Sequence, residues 1–163
     1  FKRILDKKIK EEVTSGVQTL QYQINTLMTT NGRSPLVSLF MYLREGDEYI
    51  KENALIIEEI LKQRIEGMKD AEGKYINPEF PKLIYVIDEN NCLNGGKYDY
   101  LTHLALDCAN KTQEPSFISA KKMRENYSGN VFSPMGFRSF LTPWKERMEH
   151  INLKEDLIKV LLA

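Results

Sequence analysis

A chain of 163 residues with 42% hydrophobic and 28% charged residues has the composition of one ordinary globular domain. Lysine plus arginine and aspartate plus glutamate stand at 23 each, so no bulk charge favours nucleic acid or a membrane surface as partner. No apolar run approaches the ~20 residues that a bilayer span needs, and no signal-peptide pattern opens the sequence.

Leu5, Ile9, Val13, Gly16, Leu20, Ile24 and Leu27 recur at spacings of three and four, which predicts a long helix over residues 4–29. It begins in mid-pattern at Phe1, without an initiator Met, and so reads as a piece of something longer. Asn31-Gly32 supplies residues suited to the left-handed conformation that ends helices. After Pro35, residues 36–43 (LVSLFMYL) are nearly all apolar, as a strand buried on both faces is. A polar turn over 44–47 leads to helical spacing over 53–68, carried by Leu55, Ile56, Ile60 and Ile65. Glu72-Gly73 marks a turn, Pro78 and Pro81 straighten the chain, and residues 83–87 (LIYVI) make a second buried-type strand. A turn-rich loop over 90–97 precedes a helix over 98–111, and a shorter helix over 119–126 follows Pro115.

Residues 133–144, SPMGFRSFLTPW, read as a loop bracketed by Pro134 and Pro143. It carries Phe137, Phe140, Leu141 and Trp144 without helical or alternating order. Loops run over surfaces, so this much apolar side chain on one loop must face something. The tail over 145–163 has weak helical patterning in Leu153, Leu157, Ile158, Leu161 and Leu162. Strand, helix, strand, helix is the βαβ pattern, so the class is α/β with two parallel strands joined by a right-handed crossover. Two strands are too few for a self-sufficient parallel sheet, whose faces and edges need cover.

Several clusters could carry chemistry. Asp99, His103 and Asp107 share one helix face at i, i+4 spacing; they fit a general base flanked by carboxylates, or a surface histidine between two acids. Asn94-Gly95-Gly96-Lys97 lacks the second glycine block and the Ser or Thr of a phosphate-cradling P-loop, and Tyr98 follows the lysine; a turn starting the next helix explains it. Cys92 and Cys108 are far apart, form no metal-type pairing and imply a reducing cytoplasm. Cys108 lies beside Leu104 and Leu106 as a small buried hydrophobe, and nothing in the sequence activates Cys92. The polar stretch over 29–35 fits either a ligand loop before a buried strand or a plain helix stop.

Four longer stretches are more specific than any of these. They are GVQTLQYQINTLMTTNGRSPLVSLFMYL at 16–43, FPKLIYVIDENN at 80–91, GGKYDYLTHLALDCANK at 95–111 and PMGFRSFLTPW at 134–144. In this order and spacing they resemble the catalytic subunit of anaerobic (class III) ribonucleotide reductases over residues 1–144. The resemblance implies part of a ten-stranded α/β barrel, of the glycyl-radical and ribonucleotide reductase type, that holds a ribonucleoside triphosphate. A finger loop inside that barrel carries a cysteine in a Met-Gly-Cys-Arg-Ser context. A glycyl radical takes a hydrogen atom from this cysteine, and the resulting thiyl abstracts the ribose 3′ hydrogen. A second cysteine on an earlier strand takes part in reducing the 2′ carbon, with formate as reductant.

Mapped onto this sequence, the finger motif is Met135-Gly136-Phe137-Arg138-Ser139, with Phe137 at the radical-relay cysteine's position. A phenylalanine has no S–H to donate, and neither Cys92 nor Cys108 falls on the finger, so the segment is expected to be inactive by itself. The second cysteine's strand is expected before Phe1, and the radical glycine with its neighbouring zinc-binding cysteines after Ala163. The resemblance further implies ATP or deoxynucleotide effectors, a radical-generating activase, and a dimer contact near the helix over 4–29. Arg33 stands where a Gln is common in the family. The tail over 145–163 departs from the family pattern. A second reading is a non-catalytic module that pairs with a full-length reductase subunit through the helix over 4–29.

Overall fold

The computed structural model describes residues 2–27, 32, 36–69, 72–92 and 95–134. Its first element is a 25-residue helix, α1 (Lys2–Thr26), followed by strand β1 (Ser38–Met41) and helix α2 (Ile50–Glu66). A short hairpin, β2 (Met68–Lys69) and β3 (Tyr75–Ile76), leads to strand β4 (Lys82–Ile87). Then come a single turn of helix α3 (Glu89–Cys92), helix α4 (Asp99–Thr112), strand β5 (Ser116–Ser119) and helix α5 (Ala120–Asn126).

Strands β1, β4 and β5 form one parallel sheet in that order, with Phe40 level with Ile84 and Val86 level with Ile118. The predicted βαβ unit is therefore present, with α2 in the first crossover and α4 in the second. Leu43, Leu83 and Tyr85 from the sheet pack with Ile57, Ile60 and Leu61 of α2 and with Leu101, Ala105 and Cys108 of α4, all buried in one core. Val17 of α1 joins this core from outside α2. Removing a side chain such as Leu61 or Leu101 from water contributes roughly 1.5–3 kcal/mol each, and these contacts hold the helical layer on the sheet.

The structure corrects several sequence expectations. The sheet has a third strand, β5, beyond the two that the apolar runs predict; SFIS follows Pro115 and is too short to show a period, and Ser119 lies in this strand rather than in the helix predicted over 119–126. Ser119 ends β5 and caps α5, its Oγ accepting from the Lys122 N–H at 3.3 Å. The helix expected over 53–68 runs from Ile50 to Glu66 and stops at Gly67, whose φ is +85°. A Cβ there would meet the Ile76 carbonyl oxygen at 2.9 Å, so the hairpin that crosses this point needs glycine. Met68 accordingly lies in β2 rather than in the helix.

The long helix ends at Thr26, and its buried stripe is Val17, Gln21 and Ile24 with Val13 half-buried. Leu5, Ile9 and Leu20, read as part of the core face, are exposed. Gln21 lies within the real stripe and is polar, which is why an apolar period missed it. The turn-rich loop over 90–97 begins inside α3, and the helix expected over 98–111 is α4, which starts one residue later. Residues 28–31, 33–35, 94 and 135–163 hold the Thr-Thr-Asn stretch, Arg33, Asn94, the finger motif and the tail, and lie outside the described residues.

Candidate functional site

Successive side chains of a strand point to opposite faces. Leu39, Met41, Leu83, Tyr85 and Ile87 supply the helical core or pack against it. The alternate set, Phe40 on β1, Ile84 and Val86 on β4 and Ile118 on β5, belongs to the other face. Ile84 and Val86 are buried yet lie outside the helical core. Parallel sheets are covered on both faces, and ligands of such sheets sit beyond the carboxyl ends of the strands.

At that end three side chains converge. Asp88 follows β4 directly and accepts from Arg124 of α5, through Nη1 at 2.9 Å and Nη2 at 2.5 Å. The Tyr42 hydroxyl, just past β1, donates to Asp88 Oδ2 at 3.1 Å and lies 3.3 Å from Arg124 Nη1. Two parallel charge-assisted bonds from one guanidinium are stronger and more directional than an ordinary surface pair. Asp88 Oδ1 also accepts from the Glu89 N–H at 2.9 Å, so the same carboxylate starts α3.

The neighbouring asparagines fix this end of the sheet. Asn91 is buried; its amide donates to the Val86 carbonyl at 3.0 Å and its Oδ1 accepts from the Asp88 N–H at 2.8 Å. Asn90 donates to the Leu43 carbonyl at 2.8 Å, tying the end of β1 to that of β4. Thr102 donates to the Asn91 carbonyl at 2.6 Å and bonds the Tyr85 hydroxyl at 3.0 Å, which connects the edge to α4. The Asp-Glu-Asn-Asn run after LIYVI is thus a set of strand-end ties.

The Arg124 guanidinium holds the Asp88 carboxyl below its ordinary range, against the opposing effect of burial. Burial, reinforced by the Asp88 charge, pushes the Tyr42 phenol up. The Arg124 guanidinium is stabilised in its charged form, chiefly by its bond to Asp88. A carboxyl with a lowered folded pKa contributes stability that is complete above its unfolded value, about 3.9, and is lost as pH falls through the folded value. Unfolding free energies measured from pH 6 downward should therefore decline more steeply below about pH 4 in the unaltered chain than in Asp88→Asn. Parallel curves for the two proteins would show that Asp88 contributes no such linkage.

A cleft of about 350 Å³ opens here, lined by Tyr42, Arg44, Asp88, Arg124 and Asn130 among others. A larger one, about 570 Å³, lies at the opposite, amino ends of the strands beside Ser38, Arg64, Lys82, Ile84 and Glu114. Size alone favours the larger cleft. Its charged groups, however, engage one another and the loop carbonyls: Arg64 donates to the Pro78 and Pro81 carbonyls, and Glu114 lies 3.6 Å from Arg64 and 3.4 Å from Lys82. The carboxyl edge is the better candidate, because side chains from three elements converge there and ligands of parallel sheets sit beyond the carboxyl ends of the strands.

Met135, Gly136, Phe137, Arg138 and Ser139 lie outside the described residues, immediately after this point. His103 is exposed, with Asp99 at 3.7 Å, and Asp107 is exposed too, so that trio occupies a solvated helix face. Gly96 accepts from the Asp99 N–H at 3.1 Å and Lys97 lies over the Tyr98 ring, the geometry of a turn that starts α4. Cys92 is exposed and Cys108 is buried; burial pushes the Cys108 thiol up, away from the nucleophilic thiolate. Among the described residues no three His, Cys, Asp or Glu side chains gather to hold a metal, and no helix is long and apolar enough to cross a membrane. Sequence reasoning missed the Tyr42–Asp88–Arg124 group. An acid directly after a buried strand was its one visible signal, since Arg124 follows a strand that the sequence did not reveal.

A parallel α/β unit with polar groups gathered at its carboxyl edge is the class of scaffold that places catalytic loops at strand ends. Comparison with known proteins narrows this. The family model for anaerobic ribonucleoside-triphosphate reductase matches residues 3–156. The chain is 37% identical over 142 residues to the anaerobic ribonucleoside-triphosphate reductase of Enterobacteria phage T4, covering 85% of this chain and 22% of that protein. The Haemophilus influenzae protein of the same name is 35% identical over 146 residues, 88% of this chain and 19% of the relative. For that of Escherichia coli the figures are 34% over 137 residues, 83% and 18%. The chain belongs to the anaerobic ribonucleoside-triphosphate reductase family, and spans about a fifth of the length of these relatives.

Proposed function

We propose that residues 1–144 are part of the barrel domain of an anaerobic ribonucleoside-triphosphate reductase; of the tail over 145–163, expected to diverge, residues 145–156 still fall within the family match. The observation that carries this reading is the family match over residues 3–156, which runs through the finger motif and on into the tail. The sheet supports the barrel. Its three strands are parallel, with β4 central and β1 and β5 outermost among the described residues, and β4 is buried on both faces. Parallel strands of this kind belong inside larger sheets with further neighbours.

In this reading Met135-Gly136-Phe137-Arg138-Ser139, which follow Pro134 in sequence, are the finger motif that serves a ribonucleoside triphosphate site in the intact family enzyme. The glycyl radical, formate, nucleotide effectors, zinc site and activase belong to the intact family enzyme. What this chain supplies is scaffold: the strand ends, their asparagine ties and the approach to the finger. Phe137 occupies the hydrogen-donor position and offers only C–H bonds, so the relay from glycyl radical to substrate has no thiol here. The purified chain, incubated without oxygen with a radical-generating activase, formate and ribonucleoside triphosphates, is expected to form no deoxynucleotide above the activase-free blank. Deoxynucleotide formation by the unaltered chain would overturn the role given to Phe137.

A further inference from the structure

We infer that Arg124 is a positioning residue, which latches the turn leading to residues 135–139 onto the carboxyl end of β4. The inference rests on the proposed reading of 135–139 as the finger motif, and it concerns the described turn that precedes that motif in the chain. Helix α5 has seven residues, of which Ala120 and Met123 are buried. A helix so short has no stability of its own, since isolated helices below ~12–15 residues are marginal in water. Its position is therefore set by what it grips.

Arg124 grips in two directions. Its guanidinium binds Asp88 through two bonds and lies 3.3 Å from the Tyr42 hydroxyl, so it spans the ends of β1 and β4. Its backbone carbonyl accepts from the Gly129 N–H at 2.7 Å. Ser128 and Gly129 both take positive φ, +50° and +84°, which reverses the chain just after the helix. The reversal is further held by the Tyr127 N–H on the Met123 carbonyl at 2.8 Å and by the Asn130 N–H on the Tyr127 carbonyl at 3.1 Å. The Tyr127 and Phe132 rings then meet edge to face with centroids 5.0 Å apart. From α5 to Phe132 the chain is thus braced, and the Arg124 side chain is its polar tie to β4.

An exposed ion pair would carry no such role, because pairs in open solvent are worth little. This one differs in geometry and in the burial of its acid, although the Arg124 side chain itself is 35% exposed. The Asp88 side chain is only 9% exposed, its carboxylate is also committed to the start of α3, and the guanidinium approaches with both terminal nitrogens. Shifting Arg124 moves the Gly129 anchor with it, and the five motif residues begin directly after Pro134.

Hydrogen exchange of the full 163-residue chain tests this, comparing the unaltered protein with Arg124→Met and Asp88→Asn. Both variants are expected to raise exchange of the amides between 120 and 134 by about tenfold, with α2 and α4 unchanged, as for a local opening. Arg124→Lys keeps the charge and loses the fork, and is expected to recover part of the protection. Asp88→Asn is isosteric and serves if Arg124→Met folds poorly. Unchanged exchange at 127–134, or an equal rise throughout α2 and α4, overturns the inference. Exchange at 120–134 reads the latch itself and does not depend on turnover, so failure of the latch is distinguishable from failure of the role proposed for Phe137, which the activity assay reports.

Discussion

Replacing Arg64 by methionine is expected to destabilise the fold by ~3 kcal/mol, at the lower end of what breaking a buried ion pair costs. Arg64 lies in the last turn of α2 and is 2% exposed. Its two terminal nitrogens donate to the Pro78 and Pro81 carbonyls, in the loop that feeds β4. Glu114, which precedes β5, lies 3.6 Å from Nη1 and also accepts from the Leu83 N–H at 3.4 Å. One guanidinium therefore joins a helix end, the approach to β4 and the approach to β5.

Methionine keeps the aliphatic stem but ends short of the guanidinium and offers no donors, so two carbonyls and a carboxylate lose their partner. The loss is moderated because Lys82 remains 3.4 Å from Glu114. Burial already pulls the Arg64 pKa down, with Glu114 opposing, so the site bears a desolvation cost that the partners offset. It follows that Glu114→Gln added to Arg64→Met should recover about 1 kcal/mol, since a neutral amide tolerates the missing cation. Urea unfolding of the single and double variants measures both. An Arg64→Met protein within 1 kcal/mol of the parent, on the scale of an exposed pair, would show that the carbonyls find other donors.

The contrast between Arg64 and the helical core shows what a sequence discloses. Helical spacing revealed α2 through Ile60 and Ile65, although Ile56, read on the same face, is exposed, and unbroken apolar runs revealed β1 and β4, whose Met41, Leu83 and Tyr85 are buried. Arg64 was invisible to that logic, since its burial depends on carbonyls 14 and 17 residues away that no local pattern announces. Strand β5 was hidden for a related reason. Its four residues alternate half-buried and exposed, and only register beside β4 makes them a strand. The latch was hidden because Arg124 meets Asp88 across 36 residues, a pairing that no local pattern announces. The reading of PMGFRSFLTPW as a finger motif rests on resemblance alone, because the run has no period to read and lies almost wholly outside the described residues.

Leu101→Ala should cost a similar ~3 kcal/mol, within the 2–5 measured for truncating buried leucines, but by a different route. Leu101 is fully buried in the first turn of α4, in the core that also contains Tyr85, Leu61 and Ala54. Truncation removes three carbon atoms that water never reaches, and the void persists unless α2 and α4 close on it. They are poorly placed to do so, because Thr102 next door is tied to the Asn91 carbonyl and to the Tyr85 hydroxyl. Leu106→Ala on the same helix is the control: Leu106 is 48% exposed, and its loss should cost no more than ~0.5 kcal/mol. A domain of this size loses roughly 2–4 °C of melting temperature per kcal/mol, so the two variants should separate by about 5–10 °C. Equal melting temperatures would mean that α4 does not pack on the sheet through Leu101. Because Asn91 and Thr102 connect that packing to Asp88, the same cavity should also loosen the carboxyl edge, and Asp88→Asn combined with Leu101→Ala should then cost less than the sum of the two.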